Sequence, residues 1–246
     1  MWVDGYRRLL RRVRRRVPVG RVITTEEDAE CWIDQLDGLL LVNTSTTPAA
    51  RPIPLFPAVY SGRTVTFGFQ YIAEDDLKRS LPFRAKMARA FAWGAQLGWI
   101  GVENIMAPEA AREAAFLRDL ARCRRHAHAF LAEGRFLGMQ EVDAPRVQGE
   151  GSGSFGGTYP IDLPAVLASD WLADDGSVAV ALANLSDDPH EVEVRLPAMP
   201  AGERGGSVQV EIYGPQGRLP ETRRGTVHRI TVNARAALVV AAIAVP

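Results

Sequence analysis

The stretch GRVITTEEDAECW, residues 20–32, sets four carboxylates, Glu26, Glu27, Asp28 and Glu30, directly behind a β-branched run from Val22 to Thr25. Acids at the mouth of a strand suit two kinds of chemistry. In the first turn of a helix they are favoured by its dipole and by N–H groups that lack partners, and Thr24 or Thr25 would cap such a helix. Held at the end of a strand inside a cleft, they can give and take protons in catalysis.

Other chemistry-bearing residues say less. Cys31 and Cys123 form no CxxC pair and have no histidine at ligand spacing, which argues against a zinc site or a disulfide framework. His126 and His128 are two apart on a helical stretch and so face different sides, while His190 and His228 have no visible partner. No metal and no cofactor is expected. The glycine run at 149–157 lacks a phosphate-loop lysine, so no nucleotide site is expected either. Asn43-Thr44-Ser45 and Asn184-Leu185-Ser186 fit a glycosylation sequon, a pattern common by chance.

Composition sets the frame for these residues. The chain has 246 residues, is 47% hydrophobic, and balances 29 basic against 29 acidic side chains. That suits one large or two modest cores and gives no global pull toward nucleic acid. Eight of the arginines lie between Met1 and Arg21. There Tyr6, Leu9, Leu10, Val13 and Val17 recur at helical spacing, so the arginines form the polar face of an amphipathic helix over residues 4–17, ended by Pro18 and Gly20. Such a face can meet phosphates or simply water. No apolar run reaches the length of a membrane span, and no signal-peptide core follows the arginines, so no membrane partner is expected, and a genuine start at Met1 would make the protein cytoplasmic.

Residues 21–25 read as a strand, 26–36 as a helix or turn, and 37–43 as a second strand with a continuous apolar centre. This is the grammar of a parallel sheet buried on both faces. Residues 55–60 and 64–69, parted by Ser61-Gly62-Arg63, read as a hairpin or as a further strand with its turn. Helices are expected over 84–97 and 107–133, the second with Phe116, Leu120, Cys123, Ala127 and Phe130 at core spacing. GEGSGSFGG then reads as a flexible connection, 149–159, between two domains, 1–148 and 160–246. Beyond it, residues 166–171, 177–184, 191–196, 208–213, 226–232 and 236–245 have strand character with turn residues between them, the pattern of an antiparallel sandwich.

Several short motifs recur in a familiar order: Asp4-Gly5-Tyr6, Thr25-Glu26 with Ala29-Glu30, Asp37-Gly38, Pro54-Leu55-Phe56 with Tyr60, Thr66-Phe67-Gly68, Gly94 to Trp99, Phe116 to Leu120, and Ser169-Asp170-Trp171 with Ala183-Asn184. In this order the chain resembles the C-terminal part of a bacterial family of glycoside-hydrolase-like proteins, in which a (β/α) barrel precedes a β-sandwich as in α-galactosidase-type enzymes. The resemblance implies an α/β plus all-β fold, namely the C-terminal half of a TIM-type barrel followed by a sandwich. A complete barrel needs eight βα units, about 250 residues, and this chain offers about three strands before the sandwich. The expectation is therefore a fragment or one half of a split barrel, inactive alone, which self-associates or meets a complementing half.

Functional residues of such barrels lie at the C-terminal ends of strands, and glycoside hydrolysis uses two carboxylates across the scissile bond. On that resemblance Glu26 is the candidate catalytic carboxylate, with Glu30 and Asp28 as candidate sugar contacts. No nucleophile can be assigned. Flat rings cover the apolar faces of sugars, which makes Tyr60 and Tyr71 candidates, with Gln70 as a hydrogen-bonding neighbour, while Phe69, Trp93 and Trp99 are further rings that can equally serve the core. The expected substrate is a carbohydrate. The competing reading is a non-catalytic carbohydrate-binding or structural module.

Overall fold

The computed structural model describes residues 2–26, 30–40, 53–68, 74–153, 157–200, 208–223 and 225–244. The chain opens with helix α1 (Trp2–Arg14) and strand β1 (Thr24–Glu26), followed by a 3-10 turn over Glu30–Gln35 and β2 (Gly38–Leu40). Helix α2 (Leu55–Tyr60) then leads into β3 (Val65–Phe67). These strands form a parallel sheet in the order β1-β2-β3, each joined to the next by a crossover on its helical side.

One expected strand is thus a helix. Residues 55–60 have an apolar run that suits either state, and helical winding places Phe56 and Tyr60 one turn apart with ring centroids 4.7 Å from each other. Strand β3 is therefore no hairpin partner of that segment but the end of a βαβ crossover.

A helical layer follows: α3 (Glu74–Arg79), α4 (Leu81–Ala92), α5 (Val102–Ile105), α6 (Ala111–His126) and α7 (His128–Leu131). The long helix expected over 107–133 is divided by a 3-10 turn at Pro108–Ala110 and a break at Ala127. The remaining strands are β4 (Arg135–Gln140), β5 (Arg146–Ser152), β6 (Thr158–Pro164), β7 (Val166–Leu172), β8 (Val178–Asn184), β9 (His190–Arg195), β10 (Val208–Gly214), β11 (Gly217–Arg223), β12 (Val227–Val232) and β13 (Ala236–Ala244). Six of them form an antiparallel sheet in the order β11-β10-β13-β8-β7-β4, with the pairs β9-β12 and β5-β6 beside it.

Alternation along β8 explains the layering. Val178, Val180 and Leu182 face the β9-β12 pair and pack with Val192, Val194, Ile230 and Val232, while Ala179, Ala181 and Ala183 face the helices. Alanine on that side lets Phe83, Met87, Phe91, Phe116 and Leu120 come close to the sheet. Every residue of β8 is buried, because both faces of the strand are covered.

This arrangement corrects the expected division at 149–159. Residues 149–152 are the second half of β5, paired in register with β6. The glycines there are dictated by packing, since an ideal Cβ on Gly149 would lie 2.8 Å from Leu81 Cδ2 and one on Gly151 2.5 Å from Tyr159 Cζ. Helices 81–131 and the antiparallel strands share one core.

Two buried polar clusters clip the helices to the strands. The Lys86 ammonium donates to Asp76 Oδ2 at 2.6 Å and to the Ser152 carbonyl at 2.9 Å, and the Ser152 N–H donates to Asp76 Oδ1 at 2.8 Å. Both side chains are almost wholly buried, and burial pulls the Lys86 pKa down against the attraction of Asp76. In the second cluster, the Arg84 guanidinium donates to the Leu185 carbonyl and to Asp187, and Arg235 bridges Asp187 at 2.7 Å and Glu113 at 2.8 Å. Asn184 lies in the same corner, fully buried, with its amide donating to the carbonyls of Asp188, Val232 and Asn233. It therefore serves the fold, not glycosylation.

Removing one partner of a buried pair strands the other charge, at about 3–5 kcal/mol. Lys86→Met should lower stability by about that amount, and combining it with Asp76→Asn should recover part of the loss, because the stranded carboxylate is gone. Urea titration of the two variants checks this. Equal stability of Lys86→Met and the parent would show that the pair is energetically idle.

Candidate functional site

Among the described residues, the parallel sheet has a covered and an uncovered face. Register pairs Thr24 with Gly38 and Val65, and Glu26 with Leu40 and Phe67. These six residues share one side, while Thr25, Leu39 and Thr66 share the other. Leu39 is fully buried in a cluster with Leu10, Ile23, Trp32, Ile33 and Phe56, so its side is the one the helices cover. Consistently, an ideal Cβ on Gly38 would lie 3.2 Å from both Thr24 Cγ2 and Phe67 Cε1.

Glu26 is thus the last residue of β1, not one beyond it, on the helix-free face and exposed at the C-terminal end of the strands. In a (β/α) barrel that face is the interior and that end carries the functional groups. At the same end Gly68 follows β3, and Trp99 closes over it, with its Cε3 3.4 Å from an ideal Cβ on Gly68. Trp99 is 42% exposed and its backbone is held at φ 67, a left-handed conformation unusual for a bulky residue. A carboxylate and an exposed indole therefore belong to one rim. Neither the carboxylate count nor the spacing in the sequence singles out Trp99, because residues 94–99 come close to β3 only through the turn after α4.

That turn is fixed at Gly94, whose φ is 68 and whose ideal Cβ would meet Trp171 Cη2 at 2.4 Å. No other residue fits there. Two residues on, the Gln96 N–H donates to the Thr66 carbonyl at 2.8 Å, which holds β3 to the helical layer.

The other end of the sheet is pinned by Asp37. Its Oδ2 accepts from the Ile23 N–H at 2.6 Å and from Arg14 Nη1 at 2.8 Å, while Arg14 Nη2 donates to the Gln35 carbonyl at 2.7 Å. Partial burial raises the Asp37 pKa, but the bonds from Arg14 and the Ile23 N–H outweigh it and hold the carboxyl below its ordinary value. Arg14 is so placed because α1 packs on the 3-10 turn through Tyr6 and Trp32, whose ring centroids are 4.6 Å apart.

The expected site residues are not all brought together. Tyr60 ends α2, four residues before Thr64 and the start of β3, so it lies toward the N-terminal end of the sheet, away from Glu26. Its role as a companion of Glu26 is corrected by the helical state of residues 55–60. Glu30 opens the 3-10 turn, where α1 reaches back through Arg7 to the neighbouring Cys31 carbonyl at 2.5 Å, and is not a helical turn on from Glu26. Asp28, Gln70 and Tyr71, with Phe69, lie outside the described residues. Trp93 is buried in the core. Among the described residues no cluster of histidine, cysteine and carboxylate side chains could hold a metal ion, and no helix is long and apolar enough to cross a membrane. A wider groove of about 570 Å³ lies between β4 and β9, where Gln140 joins Asp170 to the Arg195 backbone, but no aromatic ring lines it.

Residues 1–71 match a family described as a domain of unknown function, DUF6259. A protein of Bacteroides thetaiotaomicron provisionally named a glycoside hydrolase is 35% identical over 192 residues, 78% of this chain and 27% of that protein. A Monosiga brevicollis protein with the same provisional name is 32% identical over 108 residues, 42% of this chain and 9% of its own length. The chain thus spans about a quarter or less of these relatives. Among solved structures, a GH30 endoxylanase from Clostridium papyrosolvens aligns over 88% of this chain and 51% of its own at 11% identity, with a TM-score of 0.46. The α-galactosidase I of Mortierella vinacea aligns over 87% and 55%, respectively, at 7% identity and a TM-score of 0.37. Over the matched stretches the chain is similar to proteins provisionally named glycoside hydrolases.

The Asp37 clip generates a pH prediction. A carboxyl whose folded pKa lies below its ordinary 3.8 stabilises the fold above that pH and loses the contribution as pH falls through the folded value. The protection of the Ile23 amide, its exchange rate corrected for the intrinsic pH dependence, should therefore fall below about pH 4, and Asp37→Asn should flatten that dependence and lower stability by about 1 kcal/mol, solvent screening included. Hydrogen exchange followed by mass spectrometry between pH 3 and pH 6, roughly the window of carboxylate titration, checks this. An unchanged profile in Asp37→Asn would remove Asp37 from the account.

Proposed function

We propose that this segment supplies the last strands of a glycoside-hydrolase barrel, together with its sandwich, and that Glu26 acts there as one of the two carboxylates. The observation that carries the reading is the position of Glu26: final residue of β1, on the helix-free face, exposed at the C-terminal end. Hydrolysis of a glycosidic bond needs an acid and a base or nucleophile on opposite sides of the sugar. On the helix-free face of the three strands, Glu26 is the only carboxylate among the described residues, its neighbours being Thr24, Gly38, Leu40, Val65 and Phe67. The opposing group must then come from other strands.

Strand β1 pairs with β2 alone among the described residues, so its other edge is free to continue a sheet. The length of the relatives, nearly four times the matched stretch in the first case, supports the presence of such strands in the full protein. Trp99 is the sugar platform in this reading, an exposed ring at the rim that offers its apolar face. The substrate class is a carbohydrate, and this segment alone turns nothing over.

The test is made in the full protein that carries this segment, with release of reducing sugar from a panel of oligosaccharides as the readout. Glu26→Gln should lower kcat by about 10²–10⁴-fold with unchanged melting temperature. Trp99→Ala should leave kcat nearly intact and raise KM by about tenfold, the scale of one lost ring contact. Activity of Glu26→Gln within a few-fold of the parent, with lowered stability, would reduce Glu26 to a strand end and sink the proposal.

A further inference from the structure

A small cavity of about 20 Å³ lies between α2, the start of β3 and the helical layer, lined among others by Tyr60, Thr64, Trp93, Gly94, Arg124 and Trp171. Two buried polar atoms on its lining residues have no hydrogen-bond partner: Arg124 Nε and Thr64 Oγ1. Arg124 donates from Nη2 to the Gly94 carbonyl at 3.0 Å. No carboxylate pairs with it among the described residues. Burial pulls its pKa below the ordinary value, and no neighbouring charge offsets the shift. A guanidinium stays protonated all the same.

The other deeply buried cations of the molecule behave differently. Lys86 reaches Asp76, Arg84 reaches Asp187, and Arg235 reaches Glu113. Among the described residues, Arg124 alone of these four has its largely buried charge without a carboxylate partner. A buried charge of this kind needs a counter-charge. Water can fill one hydrogen bond to Nε but neutralises nothing.

We propose that this cavity is a binding site for one monatomic anion, of the class of chloride, held by Arg124 Nε and the Thr64 hydroxyl. Both groups can donate hydrogen bonds, and the guanidinium supplies the charge. The volume exceeds the ~10–15 Å³ that a single small occupant requires and suits one small ion. Thr64 lies just before β3 and Arg124 on α6, so the anion joins the parallel sheet to the helical layer on the side of β3 away from β2. It is a positioning site for the N-terminal end of β3, opposite the end that carries the rim, and takes no part in bond cleavage.

Two measurements test this. Crystals grown in sodium bromide, with data collected at the bromine absorption edge, should give an anomalous peak in the cavity between Arg124 and Thr64. An ordered water with no anomalous signal there overturns the proposal. In solution, melting temperatures are compared in 500 mM chloride and 500 mM gluconate, which is too large to enter, both at roughly fifty times an assumed dissociation constant of about 10 mM. Ligand linkage then shifts the folding equilibrium about fifty-fold, or about 4–8 °C for a chain of this size. Arg124→Met should abolish the difference between the two salts, and Thr64→Val, which keeps the shape and the charge partner, should shrink it. If Arg124→Met does not fold, Thr64→Val and the bromide peak decide the matter. A salt difference that persists unchanged in Thr64→Val, or no difference in the parent, refutes the site.

Discussion

Everything else in this molecule hangs on a sheet that is buried on both faces. Strands β8 and β13 carry aliphatic residues toward β9 and β12 and mostly alanine toward the helices, and neither surface can be left to water. Burial at about 25 cal/mol per Å² makes this the dominant stabilising term. Its consequence is directional. Helices α4 and α6 must lie close against the alanine face, α4 must then end where Trp171 stands, and only glycine fits at position 94. From Gly94 the chain reaches Gln96, which hydrogen-bonds β3. The rim that carries Glu26 is thus set, through three links, by the small side chains of β8.

Charge reinforces what apolar packing begins. Hydrophobic contact is not directional, and a helical layer could slide along an alanine face with little penalty. The Asp76–Lys86 pair ties α3 and α4 to the β5-β6 hairpin, and the Arg84–Asp187–Arg235–Glu113 cluster ties α4 and α6 to the turns after β8 and before β13. The two clusters use hydrogen bonds of defined geometry, so they fix the register that packing leaves free.

The sequence made some of this legible. Strands with Val, Ile and Leu alternation, such as β7, β8, β9, β12 and β13, are found within a residue or two of where periodicity locates them, because burial of those side chains is what forms the strand. Strand β5 was not legible, since Arg146-Val-Gln-Gly-Glu-Gly-Ser has the composition of a linker and becomes a strand only through pairing with β6 and the fit of its glycines against Leu81 and Tyr159. Helix α2 was misread because LFPAVY lacks any period that separates the two states, and tertiary context decided. At the site, Glu26 is the last residue of β1 and Glu30 opens the 3-10 turn, while the acids between them lie outside the described residues. Trp99 could not be chosen over other rings, because its place depends on the turn at Gly94 and on packing from strands seventy residues away.

The parallel sheet is the least self-sufficient part of the fold, and the reason is geometric. Its strands are three residues long, and one of its faces carries Thr24, Gly38, Val65 and Phe67 with no helix over them among the described residues. Val22 and Val65 are substantially exposed, as are Trp2, Leu9 and Val13 on α1. Three strands cannot close on themselves, so neither the uncovered face nor the free edge of β1 can be satisfied from within this sheet. By contrast, most aliphatic residues of the sandwich and its helical layer are buried in two shared clusters. Local stability follows such differences in buried contact. The helical layer and sandwich are therefore the anchor, and the short strands are the part whose geometry gains most from further strands laid against β1. In the proposed reading, the surface that would receive a second carboxylate is the same surface that lacks an apolar cover among the described residues.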